Sequence, residues 1–401
     1  MKIQKVPFHW EVFANIVLLC FAVSLFNLAG YIFAAVLMVT LFYNLKAIRI
    51  STPELTLAGF AVFYFVVYSF HYEVGIEDVV LYLMGPWGAY LVGKQYVLRS
   101  RSDHPLMTLV VVLAAGMCLH GLLNWVAMLR SDLMISYAYQ RLSVDFWRGE
   151  VVSVTVTGMF FSFATGLSIG ALFSKTKKKT KILAVITLVA CLSATIFFAN
   201  RTLLVVAAIM LVGYFAATLL SAQIAPAKKA LLLLALGMAL AIVVAALVSN
   251  WFGITDKIMS LKLIQRMEED EGGRLNVWRL FFEDNAFVRY PLGGGQIAKN
   301  SGKGYLHNLW LDIYNRTGVF SFVMMLIFTV LMTGRYFMFR KQMLRHGRTV
   351  ECTCITALLV ATVLNCMVEP IIEANPYYFL IALMFLGAMN GQTRRLEEEM
   401  L

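Results

Sequence analysis

Long apolar runs separated by short polar breaks fill most of the chain, and one polar stretch, 251–316, stands apart from them. Runs near 11–28, 30–45, 55–71, 78–93, 106–128, 152–173, 182–199, 202–220, 230–250, 317–334, 350–367 and 375–391 lie close to the length that carries a helix across a bilayer. They predict an all-α integral membrane protein with about twelve transmembrane helices, since a backbone in hydrocarbon must satisfy its hydrogen bonds within a helix or closed barrel. The organisation that follows has transmembrane helices over 1–250, a large outer loop over 251–316, and further spans with a cytoplasmic tail over 317–401. The apolar run after Glu11 passes straight into a span without a small-residue cleavage site, so it reads as a helix and not as a removable leader.

Inside 251–316 the periodicity changes. After Gly272-Gly273-Arg274, the residues Leu275, Trp278, Phe281 and Phe282 recur at helical spacing while Arg279, Glu283 and Asp284 take the other face. The pattern predicts an amphipathic helix lying on the membrane surface. Tyr290-Pro291-Leu292-Gly293-Gly294-Gly295 then forms a turn-rich stretch able to bring backbone N–H groups close to a ligand. A second short helix begins at His307-Asn308-Leu309-Trp310-Leu311-Asp312.

Composition agrees with the membrane reading: the chain is 60% hydrophobic and 14% charged, and its mean hydropathy is +0.75. The net charge of +11 is largely a topology signal and calls for no nucleic-acid partner. Basic residues recur at every second loop: Lys2 and Lys5, Lys46 and Arg49, Lys94, Arg99 and Arg101, Lys175 to Lys181, Lys228 and Lys229, Arg335 to Arg348, and Arg394 and Arg395. This places both termini in the cytoplasm and 251–316 on the periplasmic or outer face. The Lys175 to Lys181 run reads as a loop facing anionic lipid. The six cysteines sit in or beside apolar spans, so neither a disulfide framework nor a metal site is expected.

Arg201 is the outer charge that topology does not ask for. It stands in Phe198-Ala199-Asn200-Arg201-Thr202 between two apolar helices, where an unpaired guanidinium is costly. It reads either as an interfacial snorkelling side chain or as an anion-binding group facing a cavity. His120, mid-span, reads as a helix-to-helix hydrogen bond. His71, Glu73, Glu77 and Asp78 read as a small solvated loop, and Gly85-Pro86-Trp87-Gly88 as a kink. Arg141, Trp147 and Arg148 suit an interfacial belt or contact with a sugar, and Glu369 and Glu373 are possible general bases.

Four pieces in order, Asn200-Arg201-Thr202-Leu203-Leu204, Gly273-Arg274-Leu275 with Trp278, Tyr290-Pro291-Leu292-Gly293-Gly294-Gly295, and His307-Asn308-Leu309-Trp310-Leu311-Asp312 followed by Thr317-Gly318-Val319-Phe320, carry a resemblance. Together, over roughly 195–335, they resemble the O-antigen ligase and O-antigen polymerase superfamily of bacterial envelope glycosyltransferases. Glu369-Pro370 with Glu373, Asn375 and Pro376 looks like the acidic, proline-bearing end of some members.

The resemblance implies transfer of a glycan from undecaprenyl pyrophosphate to an acceptor hydroxyl on the outer face of the bacterial inner membrane, without a metal or other cofactor. The acceptor would be a growing glycan in a polymerase or lipid A-core in a ligase, and the Leu309 to Asp312 and Glu369-Pro370 stretches look more like the polymerases. On this reading Arg201 and Arg274 hold the pyrophosphate, since a planar guanidinium binds phosphate oxygens bidentately at any physiological pH. His307 takes the acceptor proton or hydrogen-bonds the pyrophosphate, and Gly294, Gly295, Asn308 and Glu369 complete the binding site beside membrane lipids. A two-halved transporter is the alternative of another class, but the large loop has no counterpart in the first half and no repeat is visible. A non-catalytic assembly component is the third.

Overall fold

The computed structural model describes residues 9–44, 50–131, 142–220, 273–300 and 304–399, with scattered positions between 225 and 259 and residue 302. In chain order the main helices are α1 (His9–Ala22), α2 (Ala29–Asn44), α3 (Thr52–His71), α4 (Gly85–Arg99), α5 (Pro105–Arg130), α6 (Val154–Phe173), α7 (Lys178–Phe197), α8 (Arg201–Leu220), α9 (Gly273–Glu283), α10 (Leu309–Arg345), α11 (Thr349–Val368) and α12 (Pro376–Glu398). Among the described residues seven of these, α3, α5, α6, α7, α8, α10 and α11, are long and apolar enough to cross a membrane, and α1 and α2 are shorter apolar helices. The expected span 230–250 falls largely outside the described residues.

The bundle is closed by tight helix crossings. α4 and α12 approach so closely that a Cβ on Gly93 would lie 1.8 Å from the Met384 carbonyl oxygen, and one on Gly387 would lie 1.9 Å from that of Tyr90. Without a solvent-driven hydrophobic force between helices in lipid, such small-residue contacts supply the packing. The large core cluster draws on both helices, with Tyr90, Phe379, Leu380 and Met384 all buried.

Several expectations change here. The span near 78–93 begins as a π-helical turn, Val79–Met84, and passes into α4 at Gly85-Pro86. This π-helical turn falls just before the Gly85-Pro86 stretch expected to kink, where Pro86 has no N–H to give. Lys94 is not a loop charge: it is buried in α4 and ion-paired with Glu54, which is also hydrogen-bonded to Ser51 N–H at 3.0 Å. The Lys175 to Lys181 stretch is not all loop, since α7 starts at Lys178.

Between the expected spans near 106–128 and 152–173 lies an antiparallel hairpin, Leu142–Val144 with Val151–Ser153, whose second strand takes the first residues expected in the later span. Arg141 lies outside the described residues. Trp147 Nε1 donates to the Val23 carbonyl at 2.9 Å and Arg148 Nε to Asn27 Oδ1 at 2.6 Å, so both tie the hairpin to the α1–α2 connection. His120 reaches Asp145 Oδ2 at 3.0 Å and stacks on Phe160 at 4.3 Å, which is a helix-to-hairpin contact. Burial pushes the Asp145 carboxyl up, but the His120 hydrogen bond and the Arg148 and Trp147 amides outweigh it and leave the group below its ordinary value.

α9 is amphipathic, with a different inner face from the one expected. Val277 and Phe281 are buried, whereas Leu275 and Phe282 are 66% and 60% exposed. Position 277 is one turn from 281, so these two share a stripe against Tyr314 and Ala286, and Leu275 and Phe282 fall outside it. α10 begins at Leu309 and is broken at Gly318 (φ 77°, ψ −162°), which separates a short first segment from the longer run beyond it.

Candidate functional site

Four elements end near one another at the same end of the bundle: the start of α8, the start of α9, the start of α10 and the end of α11. Arg274, the second residue of α9, sends Nη2 to Thr202 Oγ1 at 2.9 Å and to Glu369 Oε1 at 3.1 Å. Glu369 follows the last turn of α11 and is almost wholly buried, its side chain 2% exposed against 38% for Arg274. Its other oxygen, Oε2, stands 3.8 Å from His307 Nδ1. Neither of these two facing atoms has a hydrogen-bond partner, although both are buried.

The local sequence explains how His307 is held. Its φ is +55°, a left-handed conformation that costs a non-glycine residue about 1 kcal/mol and so has to be enforced. Asp312, fully buried, accepts from the N–H groups on both sides of it, Leu306 at 2.7 Å and Asn308 at 3.1 Å. Asn308 caps α10 by accepting from Leu311 N–H at 3.2 Å, and its Nδ2 donates to the Met367 carbonyl at 3.1 Å. Trp278, one turn along α9 from Arg274, donates Nε1 to the Leu306 carbonyl at 2.7 Å. One helix therefore sets both the arginine and the loop that carries the histidine.

Arg201 opens α8 immediately before the Thr202 that receives Arg274. It is half-buried and engaged with neighbouring groups. Asn200 shapes this start: Oδ1 accepts from Leu203 N–H at 3.1 Å and Nδ2 donates to the Val154 carbonyl at 3.1 Å.

The glycine loop does not offer its amides to a ligand. Gly294 N–H donates to the Arg316 carbonyl at 3.0 Å and Gly295 N–H to that of Asn315 at 2.7 Å, while Val319 N–H donates to Pro291 at 2.9 Å. Gly293, Gly294 and Gly295 all have positive φ, and the loop they form is spent on docking against α10. The Asn308 side chain is likewise used for capping and for tying α10 to α11.

Beside this group lies a second one, of which the sequence pattern singles out only Glu373. Arg316 Nη2 meets Glu373 Oε2 at 2.6 Å and lies 4.5 Å over the Tyr72 ring. Tyr72 stacks on Tyr68 at 4.7 Å, Tyr68 contacts Tyr82 at 5.0 Å, and Tyr82 contacts Tyr64 at 5.3 Å. Burial pushes the Glu373 carboxyl up, with the Arg316 guanidinium working against it. The hydroxyls of Tyr64 and Tyr72 and Glu373 Oε1 are buried without partners. Tyr305, two residues before His307, places its ring 6.3 Å from the imidazole. The spacing of tyrosines four apart, Tyr64 and Tyr68 on α3 and Tyr72 just past its end, is the signal that marks this wall.

Among the described residues, no group of three or more His, Cys, Asp or Glu is placed to hold a metal ion. Chemically, the first group offers a guanidinium fixed by a buried carboxylate, and an imidazole whose Nδ1 faces that carboxylate and leaves Nε2 free to exchange a proton with a bound hydroxyl. The second offers aromatic faces and unsatisfied hydroxyl and carboxylate atoms. The chain matches no family model, and no curated protein matches it.

Proposed function

We propose that the protein is a membrane glycosyltransferase that moves an oligo- or polysaccharide from a polyprenyl pyrophosphate, undecaprenyl pyrophosphate in a bacterial inner membrane, to an acceptor hydroxyl. The observation that carries this reading is the convergence of Arg274, Glu369 and His307 at one end of the bundle, with the arginine and the histidine's backbone both anchored by α9. On the same reading the chain has about twelve spans, cytoplasmic termini and its 251–316 segment over the outer face.

The donor carries its negative charge on the pyrophosphate. Arg274, with Arg201 beside Thr202, binds those oxygens and stabilises the charge that grows as the bond from the anomeric carbon to the phosphate oxygen breaks. The acceptor oxygen forms the new bond to that carbon, its proton passes to His307 Nε2, and the polyprenyl pyrophosphate departs. Glu369 orients the imidazole through Nδ1 and balances the imidazolium that forms. The 3.8 Å gap between Nδ1 and Oε2 closes to hydrogen-bond length when substrate arrives, which satisfies both buried atoms.

The tyrosine wall favours a growing glycan as acceptor, and so polymerisation over ligation to lipid A-core. Aromatic faces suit the C–H faces of sugar rings, and the unpaired hydroxyl and carboxylate atoms suit sugar hydroxyls. Exposed Leu275, Phe282, Val288 and Leu292 give the 273–300 region an apolar surface to rest on the bilayer. The test is purified protein in liposomes with a lipid-linked oligosaccharide: lengthened lipid-linked chains support polymerisation, transfer only to added lipid A-core supports ligation, and no transfer to either removes the proposal.

A further inference from the structure

At the other end of the bundle, an apolar cavity of about 240 Å³ opens between α1, α2 and α4. Its walls include Val17, Leu18, Val36 and Val92, and its rim carries two opposite charges, Glu11 and Arg99. This end is remote from Arg274: α4 finishes here, Arg395 Nη1 donates to the Ser100 carbonyl at 3.0 Å, and the nearby start of α5 meets the start of α11 through His104 and Glu351 at 3.1 Å.

Thr40, Gln95 and Tyr96 also line the cavity, but its surface is overwhelmingly apolar and suits an apolar group better than water. In a bilayer the group at hand is an acyl chain. The rim narrows the choice. Both hydrogen bonds to Glu11 fall on Oε1, from Ser100 Oγ at 3.1 Å and from Arg101 N–H, so among the described residues Oε2 carries none. Among the described residues the Arg99 guanidinium makes no hydrogen bond or ion pair. An unengaged carboxylate oxygen and an unengaged guanidinium at one mouth match a headgroup that holds an ammonium and a phosphate together.

We propose that this cavity is a binding site for one phosphatidylethanolamine molecule, with part of an acyl chain between α1, α2 and α4, its phosphate on Arg99 and its ammonium on Glu11. An anionic headgroup such as phosphatidylglycerol satisfies Arg99 and meets repulsion from Glu11, so it binds more weakly. The site is independent of the glycan-transfer reading and stands or falls separately.

The test is native mass spectrometry of the purified full chain after incubation with equal amounts of phosphatidylethanolamine and phosphatidylglycerol bearing the same acyl chains. The wild type is expected to retain one phosphatidylethanolamine in preference, by on the order of twofold to fivefold, which is what one exposed ion pair supports. Glu11→Gln removes the preference, and Arg99→Gln lowers retention of both lipids alike. Ala35→Phe, at an exposed position lining the cavity, fills it and removes retention with thermal stability unchanged. Equal retention of the two lipids by the wild type, or undiminished retention by Ala35→Phe, overturns the proposal. So does retention that appears only after residues 1–8 are removed, because the cavity then belongs to the chain's own N-terminal segment.

Discussion

Glu369→Gln removes one charge and almost no volume, and it strikes the group on which the site depends. The carboxylate is 2% exposed, accepts from Arg274 Nη2 at 3.1 Å and faces His307 Nδ1 at 3.8 Å. Two unit charges about 4 Å apart at a protein surface attract by roughly 4 kcal/mol before any cost is counted. Because Arg274 is 38% exposed, water screens that attraction, and the net worth of the pair falls to about 1 kcal/mol. A misplaced guanidinium therefore accounts for only about a fivefold loss of rate. The larger loss comes through His307, which no longer has a carboxylate to hold Nδ1 or to balance the imidazolium, and this adds on the order of 10- to 100-fold. The expected outcome is glycan transfer in proteoliposomes reduced by about 50- to 500-fold, with the protein still inserted and its melting temperature within a few degrees of wild type. Arg279→Lys is the control: Arg279 is 72% exposed and, among the described residues, pairs only with Glu283 on its own helix, so transfer is retained. Near wild-type transfer by Glu369→Gln would falsify the role assigned to the carboxylate.

Three further outcomes follow. His307→Ala lowers turnover by about 10² to 10⁴-fold, checked by single-turnover transfer, while donor binding measured by ligand-induced thermal shift is kept. Tyr68→Ala, in the aromatic wall, raises the KM for acceptor with little change in that for donor; equal changes in both would separate the wall from the acceptor. Asp145→Asn destabilises the hairpin's docking on α5 by about 1–3 kcal/mol, because Asp145 takes hydrogen bonds from His120 and two amides. Since folding lowers the Asp145 pKa, the unfolded chain binds the extra proton first. The stabilisation is thus present above the unfolded value of about 3.9 and disappears as pH falls through the folded one. Thermal unfolding followed from pH 7 down to pH 3 checks this, and the variant is expected to show a flatter curve; parallel curves refute it.

Much of the membrane architecture was legible because helix burial in lipid writes itself as long apolar runs, and α3, α5, α6, α7, α8 and α11 fall where those runs stand. The hairpin at Leu142–Ser153 was not, because its strands are three residues each, too short for alternation to register. Arg274 and His307 stood out through the resemblance, near the starts of expected helices, and Glu369 as an acidic residue beside Pro370. Their support was less legible: that Asp312 fixes both flanks of His307, or that Trp278 on the arginine's helix holds the Leu306 carbonyl, depends on contacts between segments far apart in the chain. Gly294 and Gly295 show the opposite failure. A glycine run marks backbone freedom, and freedom serves close packing as readily as ligand binding; here it serves docking onto Asn315 and Arg316.

In the proposed reaction a guanidinium held by Glu369 acts on a lipid-linked pyrophosphate, and Arg274→Lys tests that role most directly. Lysine keeps the charge and loses the planar fork that can bond Thr202, Glu369 and phosphate oxygens together. The measurement is single-turnover transfer from a radiolabelled undecaprenyl-pyrophosphate-linked oligosaccharide by purified protein in liposomes, with EDTA present throughout. The wild type is expected to transfer the glycan and Arg274→Lys to fall by about 10²-fold or more, the scale of a lost charge-stabilising contact. Transfer by Arg274→Lys at the wild-type rate, or no transfer by the wild type with a donor it is shown to bind, would contradict the account.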